Sequence, residues 1–168
     1  MEGIHVGERN MKQLHKVIFL DVDGVLKTGK FEQHIRKEQQ LSYIEASNRL
    51  QPEKIELIAK LVKETDAKIV LSSTWRLWKP SYNILARTLS QHSISIFSKT
   101  PDKREEYRWD EIKAWLHTRP VCKSLIIDDD ETAYNKYEAP TSCKFIHIDS
   151  SIGLTEYDVQ QGIRLLES

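Results

Sequence analysis

The sequence predicts an α/β domain in which amphipathic helices cover both faces of a parallel, five-stranded sheet. Three observations support this prediction: five short apolar runs recur along the 168 residues, stretches with helical spacing separate them, and acidic or hydroxyl side chains follow three of the runs. Apolar strands that alternate with amphipathic helices are typical of a parallel sheet wrapped on both faces.

The five apolar runs are short enough to be buried strands, and most are bounded by turn-forming residues. The predicted strands are residues 17–20, 68–71, 94–97, 124–127 and 144–148. Helices are expected from Pro52, at about 80–91, at about 103–117 and at 155–166. Pro52 favours a helix start because proline has no N–H to leave unpaired there. These elements predict a single domain over residues 16–168, preceded by a polar extension at residues 1–15.

The composition limits the classes of function. Lys and Arg number 25, as do Asp and Glu, so net charge gives no general attraction to nucleic acid or a membrane. Cys122 and Cys143 are interpreted as buried, reduced thiols because both lie beside apolar runs. No signal peptide or apolar run of about 20 residues is present, which gives a cytoplasmic location as the default. Secretion by a specialised system would leave no such signal.

Acidic and hydroxyl side chains follow three strands at the point where each ends. They are Asp21 and Asp23, Ser72 and Ser73, and Asp128 and Asp129. Ligand sites of open parallel sheets lie beyond the carboxyl ends of the strands, so we expect these side chains to meet. Carboxylates gathered at one edge repel each other unless a cation neutralises them, and an oxygen-only set favours Mg²⁺. A lone aspartate at a strand end is more often a helix cap or turn residue. Two acidic strand ends with a pair of hydroxyls between them favour a metal-binding catalytic site instead.

Three short motifs at these strand ends resemble a known family. Asp-Val-Asp-Gly-Val at 21–25, Leu-Ser-Ser-Thr-Trp-Arg at 71–76 and Ile-Ile-Asp-Asp at 126–129 are similar to signatures of the haloacid dehalogenase (HAD) superfamily of phosphatases. Arg-x-x-Glu-Ile at 108–112 and Gly-Leu-Thr at 153–155 further resemble the small HAD domain of Swiss-army-knife RNA repair proteins. The resemblance implies a Rossmannoid three-layer sandwich with little or no cap, in which residues 27–51 form a short flap or mini-cap.

The resemblance also implies a mechanism. Asp21 would be the nucleophile that forms an aspartyl-phosphate, and Asp23 the general acid and base. Mg²⁺ would be held by the Asp21 carboxylate, the Asp23 backbone carbonyl and Asp129. Asp128 is expected to hydrogen-bond around the metal, although the two adjacent aspartates could exchange roles.

The resemblance assigns the phosphate contacts as well. Ser72 would donate to a phosphate oxygen, with Ser73 as the adjacent candidate, and Gly24 would let backbone amides approach the phosphate.

A cation is also required to neutralise the phosphate, and Lys103, Arg104 and Arg108 are the candidates. Arg108 is chosen because helical spacing places it on the inward arc of Trp109, Ile112 and Trp115, where a charge needs a partner. The alternative roles for Arg108 are an ion pair with Glu111 or Glu105, or a side chain that extends along the apolar surface to place its charge in water.

The short insert at 27–51 predicts an open site, which suits a phosphate displayed by a macromolecule. The substrates considered are a nucleic-acid end and a phosphoprotein, in particular phosphotyrosine. Trp75 and Trp78 are predicted to flank the entrance and stack on a ring, unless they pack the helix onto the sheet. Arg76 is predicted to contact the substrate, unless it forms a surface ion pair.

Three other functions are alternatives to a phosphatase. Gly24 to Lys30 satisfies the Gly-x-x-x-x-Gly-Lys pattern of a phosphate-binding loop, but Phe31 stands where Ser or Thr must contact magnesium. A calcium loop lacks a ligand and a glycine, because Val25 and Leu26 occupy those positions. A non-catalytic HAD-like binding module would be expected to lack one of the acids, and none is missing.

Overall fold

Five parallel strands form one sheet in the computed structural model, which describes residues 14–104 and 106–168. The strands are β1 (His15–Leu20), β2 (Lys68–Leu71), β3 (Ile96–Lys99), β4 (Val121–Asp128) and β5 (Cys143–His147), and their order across the sheet is β3-β2-β1-β4-β5. The prediction of an α/β fold with a parallel five-stranded sheet is confirmed. Strand β1 lies at the centre, between β2 and β4.

The described residues form six α-helices, of which the first five lie between strands and the last follows β5. They are α1 (Gly29–Glu38), α2 (Tyr43–Ser47), α3 (Pro52–Thr65), α4 (Lys79–Ser90), α5 (Arg108–Thr118) and α6 (Glu156–Glu167). Two 3₁₀ turns, Thr74–Leu77 and Glu131–Ala133, follow β2 and β4. In the described part of the chain, no helix is both long enough and apolar enough to cross a membrane.

The core has two halves because alternate side chains of a strand point to opposite faces of the sheet. Ile18 and Leu20 of β1 join one apolar cluster, which α3, α4 and α6 cover, whereas Val17 and Phe19 join a second cluster beneath α5. All four side chains are fully buried. Burial of each side chain stabilises the fold by roughly 1.5–3 kcal/mol. The central strand is therefore held firmly, and so are the residues that directly follow Leu20.

Several predicted boundaries were wrong by a few residues; strand β4, for example, begins at Val121 rather than at 124. Strand β3 begins at Ile96 rather than at 94, because the Ile94 amide donates to the carbonyl of Leu89 and completes the end of α4. Helix α5 begins at Arg108 rather than at 103, because Tyr107 is its N-cap and the Tyr107 amide donates to the Asp110 carboxylate at 3.2 Å. Cys143 is buried as expected, but Cys122 is exposed, so its predicted burial was wrong.

The insert between β1 and α3 consists of two short helices. Thr28 caps α1, Ser42 caps α2, and the Gln51 side chain accepts a hydrogen bond of 2.7 Å from the Thr28 amide. This last bond ties the two ends of the insert together. The polar extension was predicted to end at residue 15, but His15 is the first residue of β1. Residues 1–13 of that extension lie outside the described residues.

Candidate active site

The carboxyl ends of the three central strands bring the predicted polar residues together. Leu20 of β1 lies in register with Ile127 of β4, and the Asp21 amide donates to the Ile127 carbonyl at 3.1 Å. On the other side, the Ser72 amide donates to the carbonyl of Leu20 at 3.1 Å. Asp21, Ser72 and Asp128 therefore stand side by side at one edge of the sheet, as expected from the sequence.

Three carboxylates form a cluster at this edge. Asp21, Asp128 and Asp129 each offer an oxygen, and these oxygens lie within 4.8 Å of one another. Asp21 and Asp128 are buried, and Asp129 is partly buried. Carboxylates this close need a cation or a proton to offset their repulsion.

Arg108 supplies one such cation from the first residue of α5. Its Nη1 donates to Asp21 Oδ1 at 2.7 Å and to Asp128 Oδ2 at 2.9 Å. A single nitrogen thus bridges the ends of β1 and β4. The side chain pairs with this cluster rather than with Glu111, whose carboxylate pairs with Arg76.

Burial dominates the ionisation of the cluster. It raises the pKa of Asp128 to about 7, the negative charge of Asp21 adds to the rise, and Arg108 opposes it. The pKa of Asp21 is also raised, again mainly by burial, although Arg108 counteracts the change. Burial alone would lower the pKa of Arg108, but its two carboxylate partners raise it above its ordinary value. Arg108 therefore stays charged, and without a metal Asp128 is poised to hold a proton near neutral pH.

The raised pKa of Asp128 predicts an unusual pH dependence of stability for the metal-free protein. An unfolded aspartate ionises near pH 3.9, so between about pH 4 and 7 the folded state binds a proton that the unfolded state does not. The free energy of unfolding should therefore fall by roughly 2–4 kcal/mol as pH rises through this window. Urea unfolding with a chelator, compared with Asp128→Asn, measures the effect.

The Asp128→Asn variant should show a smaller slope, because asparagine does not titrate and only Asp21, whose pKa is also raised, still contributes from the cluster. Saturating Mg²⁺ should also flatten the wild-type curve, because the positive charge of the ion would favour the ionised form of the nearby carboxylates. Equal slopes for the wild type and the variant in chelator would contradict the prediction.

Gly24 makes room for Asp129. Its φ of +80° lies in the region that favours glycine, and a Cβ built there would overlap the Asp129 carboxylate and lie 3.1 Å from the Cβ of Ser150. The predicted role of Gly24, close approach of the backbone to a ligand, is thus accompanied by a second one, which is to leave space for a carboxylate of the cluster.

Gly24→Ala is expected to destabilise the protein by about 1–2 kcal/mol, because alanine is strained at this φ and displaces Asp129. Thermal unfolding and Mg²⁺ titration should show both a lower melting temperature and weaker metal binding. Gly29→Ala is the matched control, since a Cβ on Gly29 meets no atom within 4 Å. A Gly24→Ala protein that binds Mg²⁺ as the wild type does would contradict the role given to Asp129.

The sequence comparison agrees with this geometry. A family profile described as "HAD domain in Swiss Army Knife RNA repair proteins" matches residues 17–159, which include the whole cluster and Arg108. The chain belongs to this HAD family. No match to a curated protein was found.

HAD domains generally use Mg²⁺, and the residues of this HAD domain fit that ion. All candidate ligands are carboxylate or carbonyl oxygens, which Mg²⁺ prefers. Both oxygens of Asp128 already accept hydrogen bonds, from Arg108 and from the Asp130 amide at 2.9 Å. Asp21 and Asp129 are therefore better placed to give an oxygen to a metal, whereas Asp128 orients Arg108.

The two serines after β2 have different surroundings. Ser73 accepts a hydrogen bond from the Trp75 amide and caps the 3₁₀ turn. Ser72 is fully buried, and its hydroxyl has no hydrogen-bond partner among the described residues. A buried hydroxyl without a partner is costly, so Ser72 is the better candidate to donate to a bound phosphate.

Both roles predicted for Arg76 were wrong. It is buried, and its five N–H groups all have acceptors within the protein. These acceptors are the carbonyls of Ser72, Ser73, Thr100 and Pro101 and the carboxylate of Glu111. The prediction of a substrate contact was wrong because no donor is left for a ligand, and the alternative of a surface ion pair was wrong because the pair is buried.

Trp75 takes the alternative role given to it, which is packing against the sheet, and not ring stacking at the entrance. Its ring is only 6% exposed, so it packs in the interior and does not offer a face to a substrate. Its Nε1 donates to Asp23 Oδ2 at 3.1 Å. Trp78, in contrast, is 64% exposed and keeps a free face beside the site.

Lys27 is the residue near the site that sequence reasoning missed. It is a buried lysine whose Nζ lies 2.8 Å from Glu32 Oε2 and 3.7 Å from Asp23 Oδ1. The motif at residues 21–25 directs attention to its acids and not to a lysine two positions later. Lys30, the lysine of the phosphate-loop alternative, is exposed on α1.

Proposed function

We propose that this HAD domain is a magnesium-dependent phosphohydrolase that acts through an aspartyl-phosphate on Asp21. One observation carries the proposal: the Asp21 carboxylate stands at the end of the central strand, hydrogen-bonded to Arg108 and close to Asp128 and Asp129. A nucleophile beside a fixed cation suits attack on a phosphate, whose negative charge the cation offsets.

Asp21 acts as the nucleophile, and Asp23 transfers the protons. A carboxylate oxygen of Asp21 forms a bond to phosphorus while the bond from phosphorus to the leaving oxygen breaks, and Asp23 gives its proton to that oxygen. Asp23 then takes a proton from water as the water oxygen bonds to phosphorus and the bond to Asp21 breaks. Inorganic phosphate leaves, and both carboxyl groups return to their starting states. The pKa of Asp23 is raised, mainly by partial desolvation, with Lys27 opposing, which favours the protonated form in the first step.

Other residues of the site hold the phosphate. The Asp21 and Asp129 carboxylates and the Asp23 carbonyl would hold Mg²⁺, which would supply positive charge that offsets repulsion between nucleophile and phosphate. Ser72 donates its hydroxyl to a phosphate oxygen. Arg108 uses only Nη1 for its carboxylate partners among the described residues, so its other N–H groups are available to the phosphate.

The leaving group would occupy a cavity of about 490 Å³ that Asp23 and Gly24 line. Tyr43 of α2 and Trp78 before α4, both about two-thirds exposed, also line it and offer ring faces to a planar group. The insert beside this cavity consists of two short helices rather than a large cap, which suits a phosphate on a macromolecule.

A phosphorylated nucleic-acid end is the first candidate substrate, because the matching family is described from RNA repair proteins. A phosphoprotein, in particular one carrying phosphotyrosine, is the second. The equal numbers of acidic and basic residues favour it, since they give no general attraction to a polyanion.

Phosphate release from a panel of substrates tests the proposal. The panel holds 5′- and 3′-phosphorylated oligonucleotides and phosphotyrosine peptides, each assayed with Mg²⁺ and with a chelator. We expect release from one class, dependent on Mg²⁺. A protein that folds and binds Mg²⁺ but releases phosphate from none of these would contradict the proposal and favour a non-catalytic binding module.

A further inference from the structure

The carboxylate of Asp23 has two unlike oxygens. Oδ2 accepts a hydrogen bond from Trp75 Nε1 at 3.1 Å. Oδ1 lies 3.7 Å from Lys27 Nζ, which is beyond hydrogen-bond distance, and no other donor reaches it among the described residues. The side chain is 57% exposed and lines the cavity next to Gly24. One oxygen is therefore anchored to the protein, and the other is free to react.

Trp75 is a rigid anchor. Its ring is buried in the larger half of the core, and its amide donates to the hydroxyl of Ser73 at 3.2 Å. The residue sits in the short turn that directly follows β2, so the sheet fixes the position of the indole N–H. The χ2 angle of an exposed aspartate varies widely. The indole N–H restricts the χ2 angle of Asp23 because it offers one donor in a fixed position.

Lys27 is a buried cation in contact with three parts of the site. Its Nζ forms an ion pair with Glu32 of α1, donates to the carbonyl of Ser47 in α2, and lies 5.8 Å from the centre of the Trp75 ring. A buried ammonium needs such partners. The charged groups that act on Asp23 are Lys27, Glu32 and Asp21, and Lys27 is the only cation of the three.

We propose that Trp75 and Lys27 are positioning residues for Asp23, an inference that rests on the function proposed above. Trp75 holds Oδ2, so that Oδ1 faces the cavity and exchanges the proton with the leaving oxygen and then with water. Lys27 stabilises the carboxylate that remains after the proton has left, and it joins the insert to the loop that carries Asp23. Neither residue contacts the substrate's phosphorus or gives up a proton itself.

The dependence of the rate on the leaving group tests this role. An alkyl phosphate, such as glycerol phosphate, needs a proton on its leaving oxygen, whereas p-nitrophenyl phosphate releases an anion that is stable without one. The readout is the ratio of kcat/KM for the alkyl substrate to kcat/KM for the nitrophenyl substrate. A change that only loosens the fold lowers both values and leaves this ratio unaltered.

Trp75→Phe removes the N–H and keeps an aromatic ring. We expect the ratio to fall about 10-fold or more, part of the 10²–10⁴-fold that general acid catalysis contributes. Trp115→Phe is the matched control, because Trp115 is equally buried and its Nε1 donates to Ser98 in the other half of the core. This control should leave the ratio unchanged. Lys27→Met is a second, independent variant, for which the ratio should also fall.

Asp23→Asn separates failure of this inference from failure of the proposed function. If the wild type releases no phosphate from these two substrates or from any member of the panel above, or if Asp23→Asn leaves the ratio unchanged, the proposed mechanism fails. If Asp23→Asn lowers the ratio while folded Trp75→Phe and Lys27→Met proteins keep it, the mechanism stands and the positioning role is overturned.

Discussion

Replacing Asp21 with asparagine should reduce phosphate release by at least about 10³-fold, the loss typical of removing a covalent nucleophile. The amide has nearly the shape of the carboxylate and can still accept the hydrogen bond from Arg108, but it is too weak a nucleophile to attack phosphorus. The variant should fold at least as well as the wild type in chelator, because it removes one charge from a cluster whose pKa values burial raises. Initial rates on the best substrate of the panel, with unfolding curves, measure both effects.

Asp66→Asn is the matched control for this substitution. Asp66 ends α3 with a φ of 53°, a conformation that asparagine tolerates, and its side chain is exposed. The control should keep the wild-type rate. Acid-quenched wild-type protein should in addition carry a hydroxylamine-sensitive phosphate that the Asp21→Asn protein lacks. Phosphate release by Asp21→Asn at the wild-type rate would place the nucleophile elsewhere.

Arg108→Met should have the second largest effect. In chelator at pH 7 it leaves Asp21 and Asp128 close together without their cation, and we expect the free energy of unfolding to fall by roughly 3 kcal/mol. The loss should be smaller at pH 5, where Asp128 is protonated. Activity with Mg²⁺ should fall at least about 10²-fold, because a fixed donor to the phosphate is lost. Urea unfolding at the two pH values and rates at saturating Mg²⁺ measure these changes.

Arg104→Met tests whether the effect of Arg108→Met depends on the position of the arginine or only on the loss of a positive charge. Arg104 lies four residues earlier, is largely exposed and pairs only with Asp102 among the described residues, so its loss should change stability by less than about 1 kcal/mol. It was also one of the three candidates for neutralising the phosphate. If Arg104→Met lost activity while Arg108→Met kept it, the assignment of Arg108 would be wrong.

The sequence predicted the features that depend on short segments. Alternating apolar runs and amphipathic helices predicted the parallel sheet, and the acids after those runs predicted where carboxylates meet. Arg108 could be chosen over Lys103 because the helical arc of Trp109 and Ile112 turns it inward, and the structure indeed gives it two buried partners. The order of the strands was not predicted, because the strand pattern alone does not specify which neighbours pair.

The roles of Arg76, Trp75 and Lys27 could not be read from the sequence for a different reason. The acceptors of Arg76 include Thr100 and Glu111, which lie 24 and 35 positions further along the chain. Trp75 binds an aspartate 52 positions earlier. Such partners meet only when the strands assemble. A local motif indicates that a residue is in the neighbourhood of the site, but not whether its polar atoms face the ligand or the protein.

The bonds of Arg76 have a consequence for how the site receives a phosphate. One guanidinium links the loop after β2, the segment after β3 and helix α5 through Glu111. A thermal fluctuation that shifts the Ser72 loop must therefore carry the start of α5 with it, so the spacing between the Ser72 hydroxyl and Arg108 changes little. In the reaction proposed above, an arriving phosphate would meet donors whose conformational entropy was already lost when the chain folded, and little of its binding energy would be needed to order them.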